Sequence, residues 1–278
     1  MCRYLALLAA ALCAMSAPRA AHAGAPEQVE IPRPEGPLRA MLYRPEGSGP
    51  FPAVIGLHAC DGAINRSGVL ASRYQDWGQR LSQAGFVVVF PDSYGSRGLG
   101  SQCSVRSGAA RVDRERVADA DAARVWLQSQ SWIRAERISL LGWSNGGITT
   151  LWAVRPRVTA KESGPDFRSA VAFYPGCRRL SETAWSARVP TLILLGGVDD
   201  WNAPAVCEQM VAATRGRSAR VTTVVYPGAP HDFDHPNRSL QERSGYAFSV
   251  DGSGKVHTGT HPTARADALK RVPEWLGR

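Results

Sequence analysis

The residues with the most chemical meaning lie in Gly142-Trp143-Ser144-Asn145-Gly146, a serine fenced by glycines at the end of the apolar run Ile138 to Leu141. This pattern suits a sharp turn from a buried strand into a helix. The serine sits at the apex, and glycines stand where a Cβ would strike neighbouring backbone. Gly147, Ile148, Leu151 and Trp152 follow at helical spacing and supply the helix. A serine hydroxyl is a poor nucleophile at neutral pH, so it needs a base, and the base needs a carboxylate to hold its tautomer. Both residue types occur downstream, each after a strand-like run. Thr191 to Leu195 leads into Gly196-Gly197-Val198-Asp199-Asp200-Trp201, and Val221 to Tyr226 leads into Pro227-Gly228-Ala229-Pro230-His231-Asp232-Phe233. Ser144, Asp199 and His231, in that order, are predicted to be the nucleophile, acid and base of an acyl transfer. Asp200 and His235 are the alternatives for the acid and the base.

Positioning these groups requires a regular scaffold, and the chain has one. Strand-like segments fall at Gln28 to Ile31, Leu38 to Tyr43, Ala53 to Leu57, Phe86 to Phe90, Ile138 to Leu141, Ala170 to Phe173, Thr191 to Leu195 and Val221 to Tyr226. The first two, joined by a Pro-Gly turn, read as an antiparallel hairpin. The later six are mostly continuous apolar runs, as parallel strands buried on both faces require. Helical patterns lie between them: Leu70, Tyr74, Trp77 and Leu81, then Val117 to Leu127, and finally Ala264 to Trp275. The alternation predicts an α/β fold with one mostly parallel, doubly wound eight-stranded sheet in a single domain. Two irregular stretches, 93–111 and 236–262, are too short for a lid domain, so the site is expected to be open or shallow.

The first residues have the three parts of a secretory signal: Met1-Cys2-Arg3, an apolar run from Tyr4 to Ala17, and Ala21-His22-Ala23 before Gly24. The run is short for a membrane span, so cleavage near Ala23 is expected, with a mature domain over 24–278 in the periplasm or medium. Leu12 is too bulky for a lipoprotein site at Cys13. Cys60, Cys103, Cys177 and Cys207 remain after cleavage, an even number without zinc spacing, which favours disulfides in an oxidising compartment. The formal charge is +9, but the arginines are spread along the chain without aromatic interleaving, so a nucleic-acid partner is not expected. No metal or other cofactor is called for, and sequence leaves the oligomeric state open.

Taken together, these segments resemble the dienelactone hydrolase family of α/β-hydrolases over nearly all of the mature chain. The resemblance rests on His58-Ala59-Cys60-Asp61-Gly62, Phe90-Pro91-Asp92-Ser93-Tyr94-Gly95-Ser96-Arg97-Gly98, the Ser144 turn, the Gly-Gly-Val-Asp turn and, most specifically, Tyr226 to Phe233. The family commonly has cysteine as nucleophile and glutamate after the third strand, where this chain has Ser144 and Ala59. The resemblance favours Asp199 over Asp200 as the acid. With the geometry of the serine turn, it implies an oxyanion hole from the backbone N–H groups of Asn145 and Cys60. It also sets strand three beside four and six beside seven, which implies disulfides Cys60–Cys103 and Cys177–Cys207. His58 is expected to shape the oxyanion loop and Asp92 to bond turn backbone. Tyr94, Arg97, Trp143 and Trp201 are candidates for the pocket wall, with Arg97 a fork for an acidic group on the substrate. The expected activity is cofactor-independent serine hydrolysis of a small ester or lactone. A peptidase or polyester hydrolase on the same fold is the alternative, and a non-catalytic binding protein is a third reading.

Overall fold

The computed structural model describes residues 25–65, 67–156 and 164–278; the signal segment read over 1–23 lies outside the described residues. Eight strands form one sheet: β1 (Glu27–Ile31), β2 (Leu38–Tyr43), β3 (Phe51–Leu57), β4 (Val87–Pro91), β5 (Ile133–Trp143), β6 (Ala170–Phe173), β7 (Thr191–Gly196) and β8 (Val221–Tyr226). Their spatial order is β1-β2-β4-β3-β5-β6-β7-β8. The β1–β2 and β2–β4 pairs are antiparallel, and every pair from β4 to β8 is parallel. The helices are α1 (Ser72–Gln83), α2 (Glu115–Gln128), α3 (Asn145–Ala153), α4 (Arg178–Ser181), α5 (Pro204–Ala212) and α6 (Pro262–Leu276). A short hairpin, β9 (Gln241–Arg243) with β10 (Val256–Thr258), lies outside the main sheet.

Alternation along each central strand sorts the apolar side chains onto two faces. Ile55, Leu57, Val87, Val89, Leu140 and Ala172 pack in one cluster with Ala120, Ala123 and Leu127 of α2, Leu151 of α3 and Met210 of α5. Val54, Val88, Phe90, Leu141, Val171 and Phe173 pack on the other face with Tyr74, Trp77 and Leu81 of α1 and Ala268, Val272 and Trp275 of α6. Helices on both faces explain why the central strands read as unbroken apolar runs. The consequence for function is directional. All six parallel strands point the same way, so the loops after β3, β4, β5, β6, β7 and β8 gather at one edge, where open α/β sheets place ligand sites.

Two disulfides brace that edge. Cys60, just after β3, bonds Cys103 in the segment after β4. Cys177, just after β6, bonds Cys207 on α5, which follows β7. Both crosslinks suit an oxidising compartment. Among the described residues, no helix is long and apolar enough to cross a membrane.

Candidate active site

Ser144 occupies the turn between β5 and α3 with φ 50° and ψ −111°. A non-glycine residue in that region is strained, and the surroundings must enforce it. They do so by close approach: a Cβ on Gly142 would lie 2.3 Å from the Gly146 carbonyl oxygen, and one on Gly146 would lie 1.9 Å from the Leu57 carbonyl oxygen. The two glycines therefore let α3 start against β3 without displacing it. The Ser144 N–H donates to the Phe173 carbonyl at 2.9 Å and its own carbonyl accepts from Ile148 N at 2.8 Å, which ties the strained residue to β6 and to the first turn of α3.

The predicted acid and base lie in the loops just after β7 and β8. His231 Nδ1 lies 2.7 Å from Asp199 Oδ2, both side chains being 1% exposed. The other carboxylate oxygen of Asp199 accepts from the N–H groups of Trp201 and Asn202, each at 2.9 Å, so the carboxylate cannot swing away. With Nδ1 facing a carboxylate, the imidazole carries its proton there and leaves Nε2 as an acceptor. His231 Nε2 is buried and has no hydrogen-bond partner in the protein. Burial works against the imidazolium, but the Asp199 carboxylate outweighs it and holds His231 above the ordinary histidine range. Asp200 turns the other way: its carboxylate accepts from His257 N at 2.8 Å and faces His257 Nδ1 at 2.7 Å on the surface. Burial and the Arg238 charge push His235 down to about 4, and its Nε2 sits 3.3 Å from Ser72 Oγ rather than near a carboxylate.

The loop that carries His231 is anchored from beneath. Asp234, fully buried, accepts from Tyr174 Oη at 2.5 Å, Trp77 Nε1 at 2.7 Å and Trp143 Nε1 at 2.8 Å. Asp232 is paired to Arg73 at 2.5 Å and to Arg238. Tyr174 and Trp201 bracket the imidazole, with ring centroids 4.4 Å and 4.7 Å from it.

Two cavities open on Ser144. The larger, a cleft of about 560 Å³, is lined by Tyr94, Asn145, Trp152, Trp201, Phe248 and several arginines, including Arg106 and Arg178. The smaller, about 170 Å³, contains His231, Asp232, Arg238, Arg243 and Thr258. Cys60, Cys103, Ser144 and Trp201 line both. Segments 102–113 and 248–250 form walls of the large cleft, so the two irregular stretches do flank the serine.

Of the predicted wall residues, Tyr94 and Trp201 line the large cleft, and the Tyr94 hydroxyl donates to Asn145 Oδ1 at 2.9 Å. Trp143 and Arg97 do not belong there. Trp143 is fully buried, stacks on Phe173 at 5.9 Å and donates to Asp234, because its position on β5 points it to the sheet face covered by α1. Arg97, in a short 3₁₀ turn, forks onto Asp119 of α2 at 2.7 Å and 2.9 Å and also donates to the Ser93 carbonyl. Its guanidinium is consumed by the scaffold. Asp92 accepts from Gly95 N at 2.9 Å, holding that turn. His58 is buried edge-on to Tyr94, and burial together with the Arg116 charge keeps it well below the ordinary histidine range.

Residues 38–278 match the sequence profile of the dienelactone hydrolase family. The chain belongs to the dienelactone hydrolase family. Membership makes it a hydrolase of ester bonds. A Salmonella typhimurium protein described provisionally as a carboxymethylenebutenolidase is 27% identical over 265 residues, covering 89% of this chain and 85% of that protein. Among solved structures, a provisionally assigned dienelactone hydrolase from Klebsiella pneumoniae superposes with a TM-score of 0.68 at 22% identity, covering 91% of this chain and 98% of that one. Esterase 2 of Thermogutta terrifontis, phosphoramylated by tabun, superposes at 0.62 with 17% identity, covering 91% and 94%. The two structural likenesses carry the fold.

One residue at the centre of this dienelactone hydrolase site escapes sequence reading. Arg116 of α2 is fully buried, yet it forms no ion pair among the described residues. Its Nη2 donates to the His58 carbonyl at 2.6 Å and its Nη1 to Asn145 Oδ1, with the guanidinium 5.0 Å from the Tyr94 ring centre. It thus clamps the first residue of α3 to the loop that carries Cys60. The available signal was periodic: Arg116, Asp119, Ala120, Ala123, Arg124 and Leu127 form the buried stripe of α2, and three of those six are charged. Charged residues at stripe positions mark an interior polar network.

Proposed function

We propose that this member of the family is an exported serine hydrolase that cleaves carboxylic esters or lactones through an acyl-enzyme on Ser144. In this reading His231 Nε2 takes the proton of Ser144 Oγ as the oxygen attacks the carbonyl carbon. Asp199 holds Nδ1–H and stabilises the imidazolium. The tetrahedral oxyanion is received by the N–H groups of Asn145 and Cys60, which belong to the two segments that Arg116 joins. Collapse of the intermediate expels the alkoxide, which takes the proton back from His231. Water then repeats the sequence on the acyl-enzyme and restores Ser144. No cofactor is required by these steps.

The observation that carries the proposal is the pairing in His231 of an Nδ1 committed to Asp199 with a buried, unpartnered Nε2 in a cavity shared with Ser144. Burial without a partner is costly for a polar atom unless a ligand or reacting group satisfies it. Export is supported by the two disulfides and by the signal-like segment ending near Ala23, with the mature catalytic domain starting near Gly24.

The test is turnover of simple alkyl esters by wild type and Ser144→Ala, beside intact-mass measurement after a small fluorophosphonate. The expected result is one adduct on wild type, none on Ser144→Ala, and a loss of several orders of magnitude in turnover with unchanged melting temperature. An adduct that persists in Ser144→Ala refutes the nucleophile. Faster cleavage of anilides than of matched esters would favour a peptidase.

A further inference from the structure

We propose that the smaller cavity is the leaving-group subsite and that it selects small, neutral, polyhydroxylated alcohols of about the size of glycerol, while the acyl part of the substrate occupies the large cleft. This rests on the serine-hydrolase reading above and deepens it.

The assignment follows from where the base stands. When the tetrahedral intermediate collapses, the carbon–oxygen bond to the alcohol breaks and that oxygen takes its proton from His231, so the alcohol must lie on the imidazole side of Ser144. His231 lines the smaller cavity and is absent from the walls of the large cleft, which instead holds Asn145. The Cys60–Cys103 disulfide and Trp201 stand between the two chambers and line both.

Size and chemistry then restrict the alcohol. A volume of about 170 Å³ corresponds to roughly six water-sized units at about 30 Å³ each, which matches a three-carbon alcohol with two further hydroxyls and is too small to enclose fused rings. Three of the residues lining it each have a buried polar atom without a partner in the protein: His231 Nε2, Arg243 Nε and Thr258 Oγ1. The first meets the scissile oxygen. The other two need hydrogen-bonding groups on the alcohol itself, an acceptor for Arg243 Nε and either a donor or an acceptor for the Thr258 hydroxyl. An alkyl alcohol would bury both unsatisfied, whereas vicinal hydroxyls satisfy them. The charges lining the chamber, Asp61 and Asp232 against Arg238 and Arg243, offset one another, which suits a neutral alcohol rather than a hydroxy acid.

The experiment compares kcat/KM for 2,3-dihydroxypropyl benzoate and propyl benzoate in wild type, Thr258→Val, Thr258→Ser and Arg243→Met. Wild type should prefer the dihydroxy ester by about tenfold to a hundredfold, the span expected for one or two buried polar groups left unpaired. Thr258→Val and Arg243→Met should bring that ratio toward one, and Thr258→Ser should keep it. A swapped pair tests the orientation. After division by their rates in alkali, methyl 2-naphthoate should be cleaved faster than 2-naphthylmethyl acetate. A wild-type ratio near one, a ratio unmoved by both Thr258→Val and Arg243→Met, or preference for the naphthylmethyl alcohol overturns the subsite. Small-fluorophosphonate labelling of Ser144 separates the two failures. A labelled protein without the preference refutes the subsite alone, and an unlabelled, inactive protein refutes the serine-hydrolase reading and the subsite with it.

Discussion

Replacement of Arg116 by methionine should separate stability from catalysis in this protein. The side chain is fully buried and hydrogen-bonds the His58 carbonyl at 2.6 Å and Asn145 Oδ1, without a carboxylate partner among the described residues. Two hydrogen bonds from a cation are worth about 1.5–3 kcal/mol each, or roughly 3–6 kcal/mol together. The desolvation of an unpaired buried cation costs several kcal/mol, which is of the same size, and methionine fills much of the same volume. The net change in folding stability should therefore be small, about 1–2 kcal/mol either way. At roughly 2–4 °C per kcal/mol for a chain near this size, Tm should move by less than about 8 °C. Catalysis has no such cancellation. The guanidinium holds together the two segments proposed to supply the oxyanion donors, and loss of one such donor costs about 10²–10³ in kcat. We expect Arg116→Met to lower kcat about 100-fold with KM within threefold. Arg116→Lys, which keeps the charge but lacks the fork that reaches both acceptors, should fall between. Steady-state kinetics on an alkyl ester, calorimetry and affinity for a boronate transition-state analogue provide the readouts. A kcat within threefold of wild type, or a fall in activity that only tracks a large fall in Tm, refutes the reasoning.

The acid can be tested by ranking variants: Asp199→Asn should lower kcat by about 10⁴ through the wrong imidazole tautomer, while Asp200→Asn, which faces exposed His257, should change it less than threefold. Because His231 must be neutral to act as the proposed base and is held above the ordinary histidine range by Asp199, kcat/KM should fall with decreasing pH on a limb that lies above that range. Residual activity of Asp199→Asn should show that limb at lower pH, and an unmoved limb would show that another group titrates. Replacing both Cys60 and Cys103 by alanine opens a crosslink spanning 43 residues, worth at most about 4 kcal/mol by chain entropy. Calorimetry should show a Tm loss of up to about 16 °C with a fall in kcat, because the loop proposed to present the Cys60 backbone N–H to the oxyanion loses its brace. A loss of Tm with kcat unchanged would show that this loop keeps its catalytic position without the crosslink.

Much of this fold is legible locally. β2, β6 and β8 coincide with their apolar or alternating runs, because strand identity there depends on side-chain character within the segment. β5 begins at Ile133, five residues before its apolar run. Phe51 of β3 pairs with Ile133 and carries the sheet across polar Arg134, Glu136 and Arg137, a pairing between residues 82 positions apart that periodicity cannot register. The β9–β10 hairpin inside an irregular-looking stretch has the same origin. Thr258 bridges to His231, and Val250 N donates to the Asp200 carbonyl, so long-range partners give that stretch its form.

The sequence by itself determined the turn that presents Ser144, since only glycine fits where α3 meets β3, and it determined the order of Ser144, Asp199 and His231 along the chain. Tertiary structure decided every question of where a side chain points once the strands end. Asp199 faces His231 while its neighbour Asp200 faces His257, because consecutive residues in a turn diverge and each takes the partner its direction reaches. Arg97 bends back to Asp119, Trp143 enters the core over Asp234, and Arg116, from the buried stripe of α2, joins Asn145 and the His58 loop. The physical reason is common to all of these. Backbone conformation is encoded by neighbouring residues, whereas the hydrogen-bond partner of a buried polar group is supplied by whichever distant segment packs against it.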